Sequence, residues 1–332
     1  LDGGAARLTR PLLKAFAFLH RNTRFGSRRN IAAHYDLGND MFELFLDPTM
    51  TYSSAVFSGR TATLEEAQRE KYERLCRKLD IGPRHHVLEV GTGWGGFAIH
   101  AASTRGCRVT TTTISAEQHR LAVDRIARAG LSDRIEVLLC DYRDLTGTYD
   151  RVVSIEMIEA VGHEYMRDYF RVLSDRLAPD GACALQAIVN PDQAFEESKK
   201  SVEFIRRYIF PGGHLPSVWS MCDAVKNATD LRMVHLEDLS PHYARTLQLW
   251  NERFQANRGR ILALGYTQRF ARMWEFYLCY CEGGFLERSV GVVQVVFEKP
   301  MTRRESILGA LDPVVRGPRA KVSHLHSVAR GA

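Results

Sequence analysis

Between residues 84 and 190 the chain alternates short apolar runs with amphipathic stretches of helical length. That alternation constrains the fold most, because strand–helix–strand repeats close into a doubly wound parallel α/β sheet with helices on both faces. The runs that read as strands are His86–Val90, Arg108–Thr113, Ile135–Leu139, Arg151–Ile155 and Ala182–Ile188, with helices over Gly95–Ser103, Ala116–Ala129 and Glu164–Leu177. Ser115 followed by Gln118 predicts a capping box. Pro179-Asp180-Gly181 predicts a turn before the fifth strand. Val290–Phe297, mostly β-branched, predicts a later strand. Ligands of such sheets lie at the carboxyl ends of the strands.

The first strand runs into Glu89-Val90-Gly91-Thr92-Gly93-Trp94-Gly95-Gly96. Glycines at this density let the backbone approach a ligand closely, and the helix that follows offers unpaired N–H groups. The Gly91-x-Gly93-x-x-Gly96 spacing fits a dinucleotide turn, which alone is a weak signal. Two further features turn the reading towards S-adenosylmethionine. Glu89 can attract a cationic sulfonium and amino group. The second strand ends in Thr113-Ile114-Ser115, without the acidic residue a dinucleotide ribose requires. Thr113 and Gln118 can hold a ribose through hydroxyl and amide, and Asp141-Tyr142 brings an aromatic edge past the third strand.

A chain of 332 residues predicts one large domain or two small ones, and 45% apolar residues supply a core. No apolar run approaches the ~20 residues that span a bilayer, and no signal peptide is visible. The seven cysteines (76, 107, 140, 183, 222, 279 and 281) are odd in number and lack zinc spacing. They read as reduced thiols of a cytoplasmic protein, with no metal site. The net charge of +6 is matched by residues 1–30, where seven basic residues stand against Asp2 alone. Interleaved with Leu12, Leu13, Phe16, Phe18 and Leu19, they form a basic amphipathic segment. It suits an anionic membrane surface, here the inner face, or a helix packed on the domain with its charges solvated. No nucleic-acid motif accompanies the charge. Residues 191–285 are rich in helix formers and aromatics, most of them plain core, and suit a lid over a large apolar ligand. The basic stretch 301–332 reads as a mobile tail.

Longer strings carry a family resemblance. They include Ala33-His34-Tyr35-Asp36-Leu37-Gly38-Asn39-Asp40, Phe45-Leu46-Asp47-Pro48-Thr49-Met50-Thr51-Tyr52-Ser53-Ser54-Ala55, Ile155-Glu156-Met157-Ile158-Glu159-Ala160-Val161-Gly162, Tyr208-Ile209-Phe210-Pro211-Gly212-Gly213-His214-Leu215-Pro216 and Pro241-His242-Tyr243-Ala244-Arg245-Thr246-Leu247. With them the chain resembles the cyclopropane-fatty-acid synthases and the related mycolic-acid and fatty-acid methyltransferases over about residues 25–298. The resemblance implies a seven-stranded, Rossmann-like class I methyltransferase sheet (about 84–190 and 230–298) within a domain of residues 31–300. Helical lipid-binding cap elements would fall at about 31–80 and 191–285.

It places the methyl donor against Tyr52, Ser53, Gly91, Gly93, Trp94, Gly95, Thr113, Ile114, Gln118 and Tyr142. The acceptor would be the cis double bond of an unsaturated phospholipid acyl chain, and a homodimer stays open. The resemblance also implies a bicarbonate caged by Ser54, the backbone of Ile155, Glu159, Gln186, Ile188 and Tyr243. Ser54 stands where many members have Cys, and Gln186 where many have His; hydroxyl and amide still donate, but Gln cannot titrate. Glu159 is read as orienting the bicarbonate, which acts as base, or as a plain helix-start carboxylate. Cys281 falls where the family marks an active-site cysteine, although as a residue it reads as a small buried apolar side chain. Methyl transfer to an alkene leaves a carbocation that must be kept dry. Loss of a proton from the new methyl closes a cyclopropane ring, and loss from a neighbouring chain carbon leaves a methylene branch.

Overall fold

The computed structural model describes residues 22–24, 26–27, 38–305 and 307. The described residues up to Thr302 form one compact unit. Most of the basic segment 1–30, residues 31–37 with His34 and Tyr35, and nearly all of the tail lie outside the described residues.

The strands are β1 His86–Val90, β2 Arg108–Thr113, β3 Ile135–Leu139, β4 Tyr149–Ile155, β5 Leu177–Val189, β6 Arg232–Asp238 and β7 Gly291–Glu298. They form one sheet in the order β3-β2-β1-β4-β5-β7-β6. β7 runs antiparallel to both of its neighbours, so the sheet is mixed rather than wholly parallel. β1, β2 and β3 have the bounds read from sequence.

Two local readings change. The Pro179-Asp180-Gly181 stretch lies inside β5, because Tyr149 pairs with Leu177 while Arg151 pairs with Ala182, and the extra residues bulge out of register. β6 carries no readable apolar alternation: its half-buried positions hold Met233, His235 and Glu237, while Val234 and Leu236 are exposed. The capping box at Ser115 is half formed. Ser115 Oγ accepts from the Gln118 N–H at 3.2 Å, but the Gln118 side chain turns to Thr113.

Helix α1 (Asn39–Phe45) buries Met41, Phe42, Leu44 and Phe45. Helix α2 (Leu64–Lys78) starts at a full capping box between Thr63 and Glu66. Its inner face carries Ala67, Lys71, Leu75 and Lys78 at helical spacing, so the periodicity that buries Leu75 also buries two cations. Helix α3 (Gly96–Arg105) follows the glycine turn, and α4 (Ala116–Arg128) follows β2. Helix α5 (Met166–Arg176) precedes β5, and α6 (Asp192–Ser198), α7 (Phe204–Tyr208) and α8 (Val218–Ala228) follow it. Helix α9 (Ser240–Ala256), α10 (Arg258–Ala263) and α11 (Gln268–Leu286) complete the cap. Phe42, Phe45, Trp94, Trp250, Phe254 and Trp274 form its buried aromatic cluster. No helix among the described residues is long and apolar enough to cross a membrane.

Candidate active site

The glycine turn opens a cleft of about 170 Å³ at the carboxyl ends of β1, β2 and β4. Gly91 and Gly93 have φ of 102° and 51°, values that favour glycine. A Cβ on Gly91 would also meet Met157 Cγ at 3.2 Å. Gly95, with φ of 84°, caps α3. The cleft is lined by Tyr52, Ser53, Glu89, Gly91, Gly93, Trp94, Thr113, Ile114, Gln118, Asp141 and Tyr142, which brings together all the expected donor-site residues except Gly95.

Their bonds fix the walls. Thr113 Oγ1 donates to Gln118 Oε1 at 2.8 Å, and Trp94 Nε1 donates to Asn39 Oδ1 at 2.7 Å. Asp141 receives Arg143 through Nε at 2.8 Å and NH2 at 2.7 Å. Burial would raise its pKa, but the guanidinium prevails and holds the carboxyl below its ordinary range. Glu89 accepts from Thr111 Oγ1 at 2.7 Å, and burial pushes its pKa up to about 8. Glu89 and Glu156 both line the cleft, so its wall presents two carboxyl groups to a cationic ligand.

Beside the cleft the expected anion cage is assembled differently. Ser54 contributes its backbone N–H, which donates to Glu156 Oε1 at 2.9 Å, while its hydroxyl donates to the carbonyl of Ala55. Gln186 Nε2 donates to the same Glu156 oxygen at 2.8 Å and to the Ser54 carbonyl at 3.0 Å. The Tyr243 hydroxyl donates to Glu156 Oε2 at 2.8 Å. Three groups expected around a bicarbonate therefore converge on Glu156, the carboxylate just past Ile155. A second anion there would face that carboxylate with these donors already spent, so the residues present do not fit bicarbonate.

Glu159 stands apart from this cluster. Its Oε1 accepts from the Ile188 N–H at 2.6 Å, and its buried Oε2 has no hydrogen-bond partner among the described residues. Burial first, and the neighbouring Glu156 second, push its pKa up to about 8. Burial also raises Glu156, opposed by Lys71 and by the bonds from Gln186, Ser54 and Tyr243. Glu156 thus receives three donated hydrogen bonds that favour its charged form, whereas Glu159 receives one and its pKa stands above neutrality.

Four partners of this cluster escaped the sequence reading: Glu156, Lys71, Gln294 and Lys78. Lys71 is fully buried, donates to Ser53 Oγ at 2.6 Å, and is driven by burial down to about 7. Gln294 Nε2 donates to Gln186 Oε1 at 3.0 Å, and Lys78 Nζ donates to Gln294 Oε1 at 2.7 Å. The available signal was polar residues at buried strand and helix positions.

Cys281 lies half-buried on α11 against the aromatic cluster, and burial pushes its thiol up to about 12. All seven cysteines are unpaired. Tyr52 joins cleft and cap: it lines the cleft, its hydroxyl shares a 2.8 Å hydrogen bond with Tyr277, and its ring lies 5.2 Å from Trp250 and 6.4 Å from Phe210.

Comparisons agree with this architecture. The family model described as mycolic acid cyclopropane synthetase matches residues 22–295. The tuberculostearic acid methyltransferase UfaA1 of Mycobacterium tuberculosis is 47% identical over 82% of this chain and 65% of its own length. The cyclopropane-fatty-acyl-phospholipid synthase of Escherichia coli is 40% identical over 80% of this chain and 66% of its own. The chain thus spans just under two-thirds of the length of these relatives. The crystal structure of mycolic acid cyclopropane synthase CmaA1 complexed with SAH and CTAB has a TM-score of 0.77 at 32% identity, covering 82% of this chain and 98% of that one. Strand order, glycine cleft and a match along most of its length agree: the chain belongs to the mycolic acid cyclopropane synthetase family.

Proposed function

We propose that the protein is an S-adenosylmethionine-dependent C-methyltransferase. Its acceptor is the cis double bond of an unsaturated fatty acyl chain in a phospholipid, and its product is a cyclopropane ring. The observation that carries this reading is the position of Tyr52, shared by the glycine cleft and the aromatic cluster of the cap. A polar site for a cationic methyl donor thereby adjoins an apolar site for an alkyl chain. The solved relative bound to SAH supports the donor, and the relatives named for fatty acids and phospholipids support the acceptor.

Bound S-adenosylmethionine supplies an electrophilic methyl on a sulfonium. Glu156 lines the cleft beside that cation, a cation bound there would draw the Glu89 carboxyl back towards its charged form, and the bond between Thr113 and Gln118 sets a polar edge for a ribose. Tyr142, edge-on to Tyr169 with ring centroids 5.5 Å apart, offers a face to an adenine. Alkenes are weak nucleophiles, so positioning supplies much of the acceleration. The rings of Tyr52, Phe210, Trp250 and Tyr277 suit the carbocation that follows, each face contributing ~1–2 kcal/mol where water is excluded.

An exposed aromatic group of Tyr208, Phe276 and Tyr280 around Phe204, with Arg207 5.2 Å from the Tyr208 ring, supports peripheral contact with an anionic membrane. A second product, a methylene-branched acyl chain, is favoured by the 47% identity to a relative named for tuberculostearic acid rather than for a cyclopropane.

The test is incubation with methyl-labelled donor and vesicles of unsaturated phospholipid, followed by mass spectrometry. Gain of one CH₂ on the acyl chain is expected. Resistance of the product to alkene reduction marks the cyclopropane, and reducibility marks the methylene branch. Label found only in small amines overturns the reading.

A further inference from the structure

We propose that Glu156 is a catalytic residue: its carboxylate fills the anion position of the site and accepts the proton lost from the methylated acyl chain, so the chain carries its own base in place of bicarbonate. This rests on the methyl-transfer reading above.

Donor geometry is the first support. The Ser54 N–H and Gln186 Nε2 converge on Glu156 Oε1 at 2.9 and 2.8 Å, and the Tyr243 hydroxyl reaches Oε2 at 2.8 Å. Hydrogen bonds to the charged form hold a carboxylate ionised.

Backbone conformation is the second. Glu156 has φ of 48°, a left-handed value that disfavours residues with a Cβ. Such positions persist where the surroundings over-determine them, and they gather at functional sites. The Glu156 N–H donates to the Gln186 carbonyl at 2.8 Å, so backbone and side chain are pinned by the same residue.

Placement is the third. Glu156 lines the cleft where the methyl donor would lie, whereas Glu159 does not.

The step balances. The alkene π pair forms the bond to the donor's methyl as the S–CH₃ bond breaks and its electron pair stays on the sulfur of the leaving thioether, so a cation is left on the adjacent chain carbon. A C–H bond of the new methyl then breaks, and its electron pair closes the ring onto that carbon. The proton moves to a Glu156 oxygen and reaches solvent when the product leaves. No oxidant or reductant enters.

The experiment compares wild type, Glu156→Gln and Glu156→Gly in buffer stripped of carbon dioxide, with and without added bicarbonate. Acyl methylation is followed by product mass spectrometry, SAH affinity by calorimetry, and ionisation at position 156 by the infrared difference between wild type and Glu156→Gln. Wild type is expected to turn over without bicarbonate and to gain nothing from it. Glu156→Gln should keep its SAH affinity and lose about 100-fold in turnover. Glu156→Gly, relieved of its left-handed strain, should stay folded and recover about tenfold with bicarbonate or formate, within the range of a general base. Stimulation of wild type by bicarbonate, an active Glu156→Gln, or a protonated Glu156 near neutrality each overturns the proposal. If wild type methylates no acyl chain, the methyl-transfer reading falls and takes the proposal with it. An active wild type with an unimpaired Glu156→Gln removes the proposal alone.

Discussion

Gln294 on β7 and Gln186 on β5 are direct cross-strand partners, and the amide of Gln294 donates to Gln186 Oε1 at 3.0 Å. That bond decides which end of Gln186 faces Glu156. Gln294 is oriented in turn by Lys78, whose ammonium can only donate and occupies Gln294 Oε1 at 2.7 Å. Lys78 is held from its other side by Glu237 at 2.6 Å. A row of cross-strand neighbours therefore runs Glu237, Gln294, Gln186 from β6 to β5, with one consistent polarity that ends on Glu156.

Replacing Gln294 by Leu removes the donor to Gln186 and the acceptor of Lys78. Stability should fall by about 1–3 kcal/mol, the cost of buried groups left unpaired. Turnover should fall about tenfold while SAH affinity holds, because only the aim of Gln186 is lost. Urea unfolding and calorimetry measure the two effects; a variant as active as wild type would detach this row from catalysis.

Lys71 faces Glu156, Asp47 and Glu89 in the buried site, and the Glu156 carboxyl also acts electrostatically on Glu159 and Tyr243. Its positive charge lowers the Glu156 pKa. In Lys71→Met that charge is gone, so the Glu156 pKa rises. A base works only when ionised, and the acid limb of the turnover profile should therefore move to higher pH. A limb that stays in place or moves to lower pH would count against Glu156 as the titrating base.

Gly96 tolerates no side chain. An added Cβ would sit 2.5 Å from the Tyr72 hydroxyl and 3.0 Å from the Thr49 carbonyl. The Tyr72 hydroxyl is also bonded to Thr51, so the clash spreads into the loop that carries Tyr52 and Ser53. Gly96→Ala should lose about 1–3 kcal/mol of stability, as overpacking does, together with SAH affinity. Thermal unfolding and titration test both losses.

His214 is buried between His163 and Phe195, with ring centroids 5.1 and 5.4 Å away, and neither ring nitrogen has a hydrogen-bond partner among the described residues. Burial lowers its pKa from the ordinary 6.5 to about 3. Unfolded chain then binds a proton that folded chain refuses. The neutral ring therefore opposes unfolding fully above pH 6.5, and this stability is lost as the pH falls from 6.5 towards 3. His214→Leu should flatten the stability profile across that window, as followed by urea midpoints against pH; an unchanged slope would exclude His214 as its source.

Cys281→Ala should turn over at close to the wild-type rate, since a thiol pushed up to about 12 by burial stays protonated near neutrality. Loss of activity in a folded variant would give the thiol a role beyond packing.

How far the site could be read depends on range. Gly91, Gly93, Trp94, Thr113 and Gln118 were readable because their roles follow from position after a strand, which local pattern reveals. β6 was not named from its residues, because its apolar Val234 and Leu236 face outward while His235 and Glu237 face in, so its alternation marks no buried apolar face. Glu156 was visible as a residue but not as the centre of the cage. Its meaning depends on Ser54, Gln186 and Tyr243, which lie 102, 30 and 87 positions away.

By itself the sequence determined the parallel core of the sheet, the glycine cleft and the family, since strand periodicity, turn chemistry and contiguous motifs are properties of neighbouring residues. Only the tertiary structure decided which of two carboxylates, three residues apart, receives the donors that favour its charged form. Burial raises both, and the difference between them comes from partners on β5, α9 and α2 that folding alone brings within reach.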